Sequence, residues 1–337
     1  NHGLGDWGNP DNQLARENVE TAFLYADAIT LAEFAEILGK EEDEAGFLQF
    51  AESVKENYNR RLLVQNESGK WCYRSFEHKE KIVMTQACEA LPLYWGMVPE
   101  EKIEDVIDSF RQTLIEKQSF ASGEVGLPYI IQTASRYGMN ALICSFITRP
   151  EHPSYYAFVK NGLTTLGEYW EENPRSHCHD MMGHIIEWYY NGIAGIKPLK
   201  PGFKKVLIKP YLPESMNEMS CKYDSVNGKI IVSMRRDDGK IRLDVKADER
   251  IDVEIDKTFI DEISSNSRDY AITDSIINLV HSLNIITVAE GVETANQFSS
   301  LDNMNCDLIQ GFLMSKPLHQ DMVEDFIKKY QETYNVI

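Results

Sequence analysis

The sequence predicts a multidomain chain: an all-α part, a small antiparallel β unit, and a closing run of βα units. Three observations carry this. Apolar residues recur with a helical period through the first part. Asn227-Gly228 and Asp238-Gly239 separate β-prone segments in the second, and short strands alternate with helices in the third. All five tryptophans (Trp7, Trp71, Trp95, Trp170, Trp188) fall in the first part, a composition shift that sets it apart.

Residues 18–118 read as helices. Phe47, Phe50, Ala51, Val54, Tyr58 and Leu62 form one stripe of 3.6-residue period. Ile103, Val106, Ile107, Phe110 and Leu114 form another, opened by Pro99 and two acids where a helix start tolerates them. Gly39 and Gly96 sit in short joints that suit antiparallel hairpins. Further helices are expected over 82–94, 125–147 and 180–193, with no strand before about 195. Gly195, Pro198, Pro201 and Gly202 then punctuate the chain. Strand-like runs follow at 206–208, 229–234 and 241–245, giving an antiparallel unit over 203–255. Beyond it come a helix at 272–283, a strand at 285–289, a helix near 294–304, a strand at 308–312 and a helix at 321–334. The expected domains are 1–196, 197–253 and 254–337.

Composition excludes several classes. Lys and Arg number 34 against 53 Asp and Glu, and the net charge of −19 disfavours nucleic acid and anionic lipid as partners. No apolar run approaches the ~20 residues that cross a bilayer, and the N-terminus lacks a signal peptide's basic and apolar regions. The six cysteines form no Cys-x-x-Cys pair, so reduced thiols and a cytoplasmic setting are expected. Asn1 stands where an initiator Met would, which reads as a piece of something longer.

Carboxylates beside Trp and Tyr in a helical part suggest sugar chemistry. A sugar's C–H face stacks on an aromatic ring, and glycosidic cleavage uses two carboxyl groups. Candidates are Asp6-Trp7, Glu124 in Ser122-Gly123-Glu124-Val125-Gly126, Glu168 before Tyr169-Trp170, and Glu187-Trp188. Each has a plainer reading: Glu124 as a helix cap, and Tyr155, Trp170 and Trp188 as packing. His177-Cys178-His179 with His184 could chelate zinc, but no second Cys lies near, and no metal or cofactor is expected.

The order of the motifs sharpens this. Gly5-Asp6-Trp7, Met84-Thr85-Gln86-Ala87, Gly123–Gly126, His152–Tyr155, Gly162–Thr165 with Glu168, Ser176–His179, Glu187–Tyr189 and Pro201–Ile208 form one series. It resembles the bacterial α-L-rhamnosidases over roughly residues 1–250. The resemblance implies an incomplete (α/α)6 six-hairpin toroid, a C-terminal β-sandwich, and inverting removal of terminal α-L-rhamnosyl groups from glycosides. It casts Glu168 as general base, His179 as a sugar ligand, and Asp6 and Trp7 as pocket lining, with Glu124 as a further substrate-binding candidate. Cys178 stands where that family usually has Asn. The family's general acid lies upstream of Gly-Asp-Trp, so impaired hydrolysis is expected of this chain.

A second series runs from Glu254–Ile260 through Ala289–Thr294 to Ile309–Phe312 and Ser315–Leu318. Over about 252–330 it resembles the last third of EAL domains, TIM-barrel phosphodiesterases that cleave cyclic di-GMP with Mg²⁺ or Mn²⁺. The resemblance casts Glu290 and Gln310 as site residues and sets Glu254 where that family has a catalytic Lys. The family's other metal ligands belong to its earlier part. A partial, TIM-barrel-derived segment without function is therefore expected, with an open barrel edge that invites self-association. A nucleotide phosphodiesterase or binding module, and a non-catalytic carbohydrate-binding remnant, stand as alternatives.

Overall fold

The computed structural model describes residues 3–78, 80–173, 175–237, 240–255, 277 and 287–315. It forms two compact units, Asn1–Tyr189 and Tyr190–Ile337. The helices expected at 272–283 (Ile277 apart) and 321–334 lie outside the described residues.

The first unit opens with a helical hairpin, α1 (Arg16–Ile37) and α2 (Glu41–Leu62). Gly39 turns between them at φ +66°, a left-handed conformation that other residues resist. Four acids in the first turn of α2 and Arg60 and Arg61 in its last both suit the helix dipole. Its buried stripe is Ala51, Val54, Tyr58 and Leu62, while Phe50 is 47% exposed, so the packed face is narrower than the apolar pattern predicts.

The chain then makes a two-stranded hairpin, β1 (Leu63–Gln65) with β2 (Trp71–Tyr73), correcting the expectation of no strand before 195. Asn66 Oδ1 accepts from the N–H groups of Ser68 and Lys70 and closes the turn. Next come α3 (Gln86–Tyr94) and α4 (Ile103–Lys117). Thr85 caps α3 by accepting from Cys88 N at 3.1 Å. α4 buries Val106, Ile107, Phe110 and Leu114, as its periodicity predicts.

The helix expected over 125–147 is two helices, α5 (Leu127–Arg136) and α6 (Asn140–Ile147). Gly138 at φ +75° breaks them, with Met139 N bonded back to Ala134 O, the close of a left-handed helix cap. A short α7 (Tyr155–Lys160) follows. The region expected as one helix over 180–193 begins with a 3-10 turn, Asp180–His184, and a single α turn, α8 (Ile185–Trp188).

The second unit contains β3 (Ile196–Pro198), β4 (Lys205–Ile208), β5 (Glu218–Ser225), β6 (Gly228–Asp237), β7 (Lys240–Ala247) and β8 (Asp252–Ile255). β9 (Thr287–Glu290), α9 (Ala295–Asn303) and β10 (Leu308–Gln310) complete it. β5, β6 and β7 are an antiparallel meander, with Asn227-Gly228 at its first turn. The expectation of one antiparallel unit over 203–255 needs correction beyond those three strands. β4 and β8 lie in a separate five-stranded sheet of order β10-β9-β8-β4-β3, where β8 runs parallel to both β4 and β9. The reason is apolar: Val206, Ile208, Val253 and Ala289 share one buried cluster with Ile230, Val232 and Val245 of the meander. β8 is therefore flanked by β9 on one side and β4 on the other, where Leu207 aligns with Glu254, and the sheet's edges are β10 and β3.

Candidate functional site

The site is built on two loops of the first unit. Asp6 organises the first. Its carboxylate is fully buried and accepts from Asn9 Nδ2 (3.0 Å), Ser122 Oγ (3.0 and 3.1 Å), Gly123 N (3.0 Å) and Gly126 N (2.8 Å). Burial pushes this carboxyl above the ordinary aspartate value, and the hydrogen bonds oppose that rise. The expectation that Asp6 lines the pocket is thus corrected: every acceptor faces protein, and its work is to pin the 122–126 loop against Trp7. Glu124 N donates to Trp7 O at 2.7 Å, completing the clasp. A Cβ on Gly123 would lie 1.8 Å from Trp7 O, so only glycine permits this approach.

The second loop carries Glu168, Arg175 and His179. Glu168 N donates to Ser176 O (3.0 Å) and His179 N to Leu166 O (2.9 Å), so two strands of the loop lie side by side. Thr165 Oγ1 also donates to His177 O. Trp170 anchors this loop in the core, donating from Nε1 to Ser122 O at 2.9 Å and stacking near Phe120 and Phe158. Trp170 and Trp188 are buried packing residues, and Tyr155 donates to Met182 O at 2.6 Å.

The two loops meet at Glu168. Trp7 Nε1 donates to Glu168 Oε1 at 3.3 Å across 161 residues of sequence. Arg175 grips the same carboxylate with two bonds, Nη2 to Oε1 at 2.8 Å and Nε to Oε2 at 3.1 Å. Burial disfavours the charged form, but bonds from Arg175, Trp7 and Tyr169 outweigh it and hold Glu168 below the ordinary glutamate range. The Tyr169 ring stands 6.4 Å from that of Trp7. Beside them, His179 Nε2 lies 3.0 Å from Glu124 Oε2. Glu124 is buried, and its carboxyl is raised by desolvation and by the Glu168 charge, with His179 and Arg175 pulling the other way. Glu168, Glu124, His179 and Trp7 therefore converge, with Asp6 behind them.

Sequence reasoning missed Arg175 and Tyr169. Tyr169 had a signal in its place directly after Glu168, whereas nothing in period or spacing marks Arg175, whose role arises from a loop doubling back on itself. Among the described residues, no three His, Cys, Asp or Glu side chains converge to hold a metal, His177, Cys178 and His184 included.

The EAL-like residues are arranged differently. Glu290 and Gln310 are register partners at the ends of β9 and β10, and Gln310 is exposed. Only the backbone of Glu290 is described. Glu254 is buried at 2% exposure, and its Oε2 lies 2.6 Å from Lys205 Nζ of β4. These described residues do not fit the Mg²⁺ or Mn²⁺ of EAL phosphodiesterases.

Residues 1–193 match the bacterial alpha-L-rhamnosidase 6 hairpin glycosidase domain, 195–248 that family's C-terminal domain, and 249–317 the EAL domain. An alpha-L-rhamnosidase of Formosa agariphila is 27% identical over 241 residues, 67% of this chain and 24% of that protein. The alpha-L-rhamnosidase structure from Dictyoglumus thermophilum matches with a TM-score of 0.66 and 26% identity, covering 74% of this chain and 28% of that one. The Streptomyces avermitilis alpha-L-rhamnosidase complexed with L-rhamnose shares the fold, with a TM-score of 0.63 and 21% identity over 75% of this chain and 24% of that one. Cyclic di-GMP phosphodiesterase NbdA of Pseudomonas aeruginosa is 38% identical over 79 residues, 23% of this chain and 10% of that protein. The chain spans about a quarter of the length of the rhamnosidases it matches. It belongs to the bacterial α-L-rhamnosidase six-hairpin glycosidase family, and continues through that family's C-terminal domain into an EAL-domain segment.

Proposed function

We propose that the first unit binds a terminal α-L-rhamnosyl group and supplies the base side of an inverting glycosidase site. One observation carries the reading: Trp7 and Glu168, far apart in sequence, meet in a hydrogen bond at the loop crossing. Glu168 takes the role of general base. A base that activates water must be ionised at working pH; the bonds from Arg175 and Trp7 keep Glu168 ionised, at a cost in basicity. The Trp7 indole supplies a face for the sugar, and His179, oriented by Glu124, a polar contact. Asp6 acts through the loop it pins.

The same proposal divides the chain at 1–196, 197–253 and 254–337. It derives the last part from a TIM barrel, supported by the parallel β8, β9 and β10 with α9 between the latter two. A nucleotide phosphodiesterase role is not included, since Glu254 is buried against Lys205.

Calorimetric titration of the chain with L-rhamnose, beside hydrolysis of an aryl α-L-rhamnoside, tests the reading. Saturable rhamnose binding, weakened by Trp7→Ala and by His179→Ala, is the expected result. Absence of binding, or binding indifferent to both substitutions, would overturn it.

A further inference from the structure

Glu168 is closed off from solvent. An ionised carboxylate offers about four acceptor positions. Trp7 Nε1 (3.3 Å), Arg175 Nη2 (2.8 Å), Arg175 Nε (3.1 Å) and the Tyr169 side chain supply four donors to it. The Glu168 side chain is 3% exposed, whereas that of Arg175 is 73% exposed, so the guanidinium forms the solvent side of the pair. A base that is to take a proton from water needs an acceptor position that water can reach. One of the donor residues must therefore leave before the base can work, and they differ in freedom. Trp7 is held at its backbone, where its O accepts from Glu124 N at 2.7 Å. The Tyr169 ring packs on Gly8, where a Cβ would lie 3.3 Å from it. Arg175 has neither restraint: the hydrogen bonds described for its side chain go to Glu168, and a long exposed arginine gains rotamer freedom on release.

We propose that Arg175 is a latch on this site: its guanidinium closes over Glu168 when the site is empty, and an arriving sugar displaces it. The inference rests on the rhamnosyl-binding reading above, and adds a means of regulating that same site. With the latch down, Glu168 is ordered, ionised and shielded from other partners. With the latch up, Trp7 and Tyr169 still orient the carboxylate, and the positions that Arg175 leaves are open to a water or a sugar hydroxyl. Sugar and Arg175 compete for the same acceptors, so the latch lowers the apparent affinity by the fraction of time it stays closed. An ion pair with so exposed a cation opens at small cost, and salt weakens it.

The test titrates the whole chain, and its Arg175→Ala and Arg175→Lys variants, with L-rhamnose at low and high salt. Arg175→Ala should bind L-rhamnose about fivefold tighter than the parent, the upper end for an exposed ion pair with a two-bond grip. Arg175→Lys keeps the charge without the planar fork and should fall between them. Raising sodium chloride to ~1 M, where the screening length is about 3 Å, should bring the parent toward the affinity of Arg175→Ala and leave that variant unchanged, because the sugar carries no charge. If Arg175 only held its loop in place, its removal would weaken binding instead. L-rhamnose binding that is unchanged or weakened in Arg175→Ala refutes the latch and leaves the rhamnosyl site standing. A parent affinity indifferent to salt also refutes it. If neither the parent nor the variants bind L-rhamnose, both readings fall together.

Discussion

Glu89→Gln is expected to flatten the dependence of the helical unit's stability on pH. Glu89 sits in α3 with no exposed surface. Its Oε1 accepts from Ser109 Oγ (2.8 Å) and Tyr73 N (3.1 Å), while Oε2 has no hydrogen-bond partner. Burial raises its carboxyl from 4.5 to about 8, against the pull of those two bonds. The same desolvation pushes the neighbouring Cys72 and Cys88 thiols to about 12. The folded state therefore holds a proton that the unfolded state gives up. Between the unfolded and folded pKa values the native protein binds more protons, so stability falls as pH rises through that window. Raising pH from 5 to 7 should cost ~2–3 kcal/mol through this one group, each unit of displacement being worth 1.36 kcal/mol. Gln mimics the protonated carboxyl in shape and cannot titrate, so the variant should lose this slope.

Urea unfolding followed by tryptophan fluorescence is the suitable assay, because all five tryptophans belong to the first unit. Other groups also titrate, Asp6 among them, so the quantity of interest is the difference in slope between parent and variant. An unchanged slope would refute the reasoning, since it would mean that Glu89 keeps an ordinary pKa and is charged in the fold.

Three further outcomes are expected. Arg175→Ala should raise the pKa of Glu168, read by carbon NMR of labelled glutamate, because the variant keeps the burial but loses two charge-assisted bonds; a fall or no change would deny Arg175 its grip. Lys205→Met should destabilise the second unit by about 3–5 kcal/mol by leaving Glu254 buried and unpaired, with Glu254→Gln recovering part of the loss in far-ultraviolet circular dichroism melts. Gly123→Ala should destabilise the first unit by at least about 1–3 kcal/mol and abolish L-rhamnose binding, since its methyl would meet Trp7 O; retained binding would separate the loop clasp from the site.

Periodicity and turn chemistry went far for this chain. The stripe Val106, Ile107, Phe110 and Leu114 is the buried face of α4, and Asn227-Gly228 closes the first meander turn. These are local properties: a 3.6-residue period and a positive φ are decided within a few residues. Motif order likewise carried the family, because a series of short words survives in sequence whatever their spatial arrangement. The β1–β2 hairpin escaped notice because three-residue strands leave no measurable alternation, though Asn66 and Gly69 were its turn signal. Gly138 divided a pattern that apolar residues alone make continuous.

What tertiary structure alone decided is which charges meet. Asp6 reads as a pocket carboxylate beside Trp7, yet five hydrogen bonds from the first loop and the Ser122–Gly126 clasp consume it. Arg175 is one unremarkable cation in the sequence, and becomes the partner of Glu168 only when its loop folds back. Glu254 appears in sequence as a reversed charge in a phosphate site, and in the fold it is answered by Lys205 from a strand of another family's motif. Sequence spacing encodes the fate of apolar groups because burial is non-directional and needs only the right face. The fate of a charge depends on distance and direction to one particular partner, which exist only once the chain has folded.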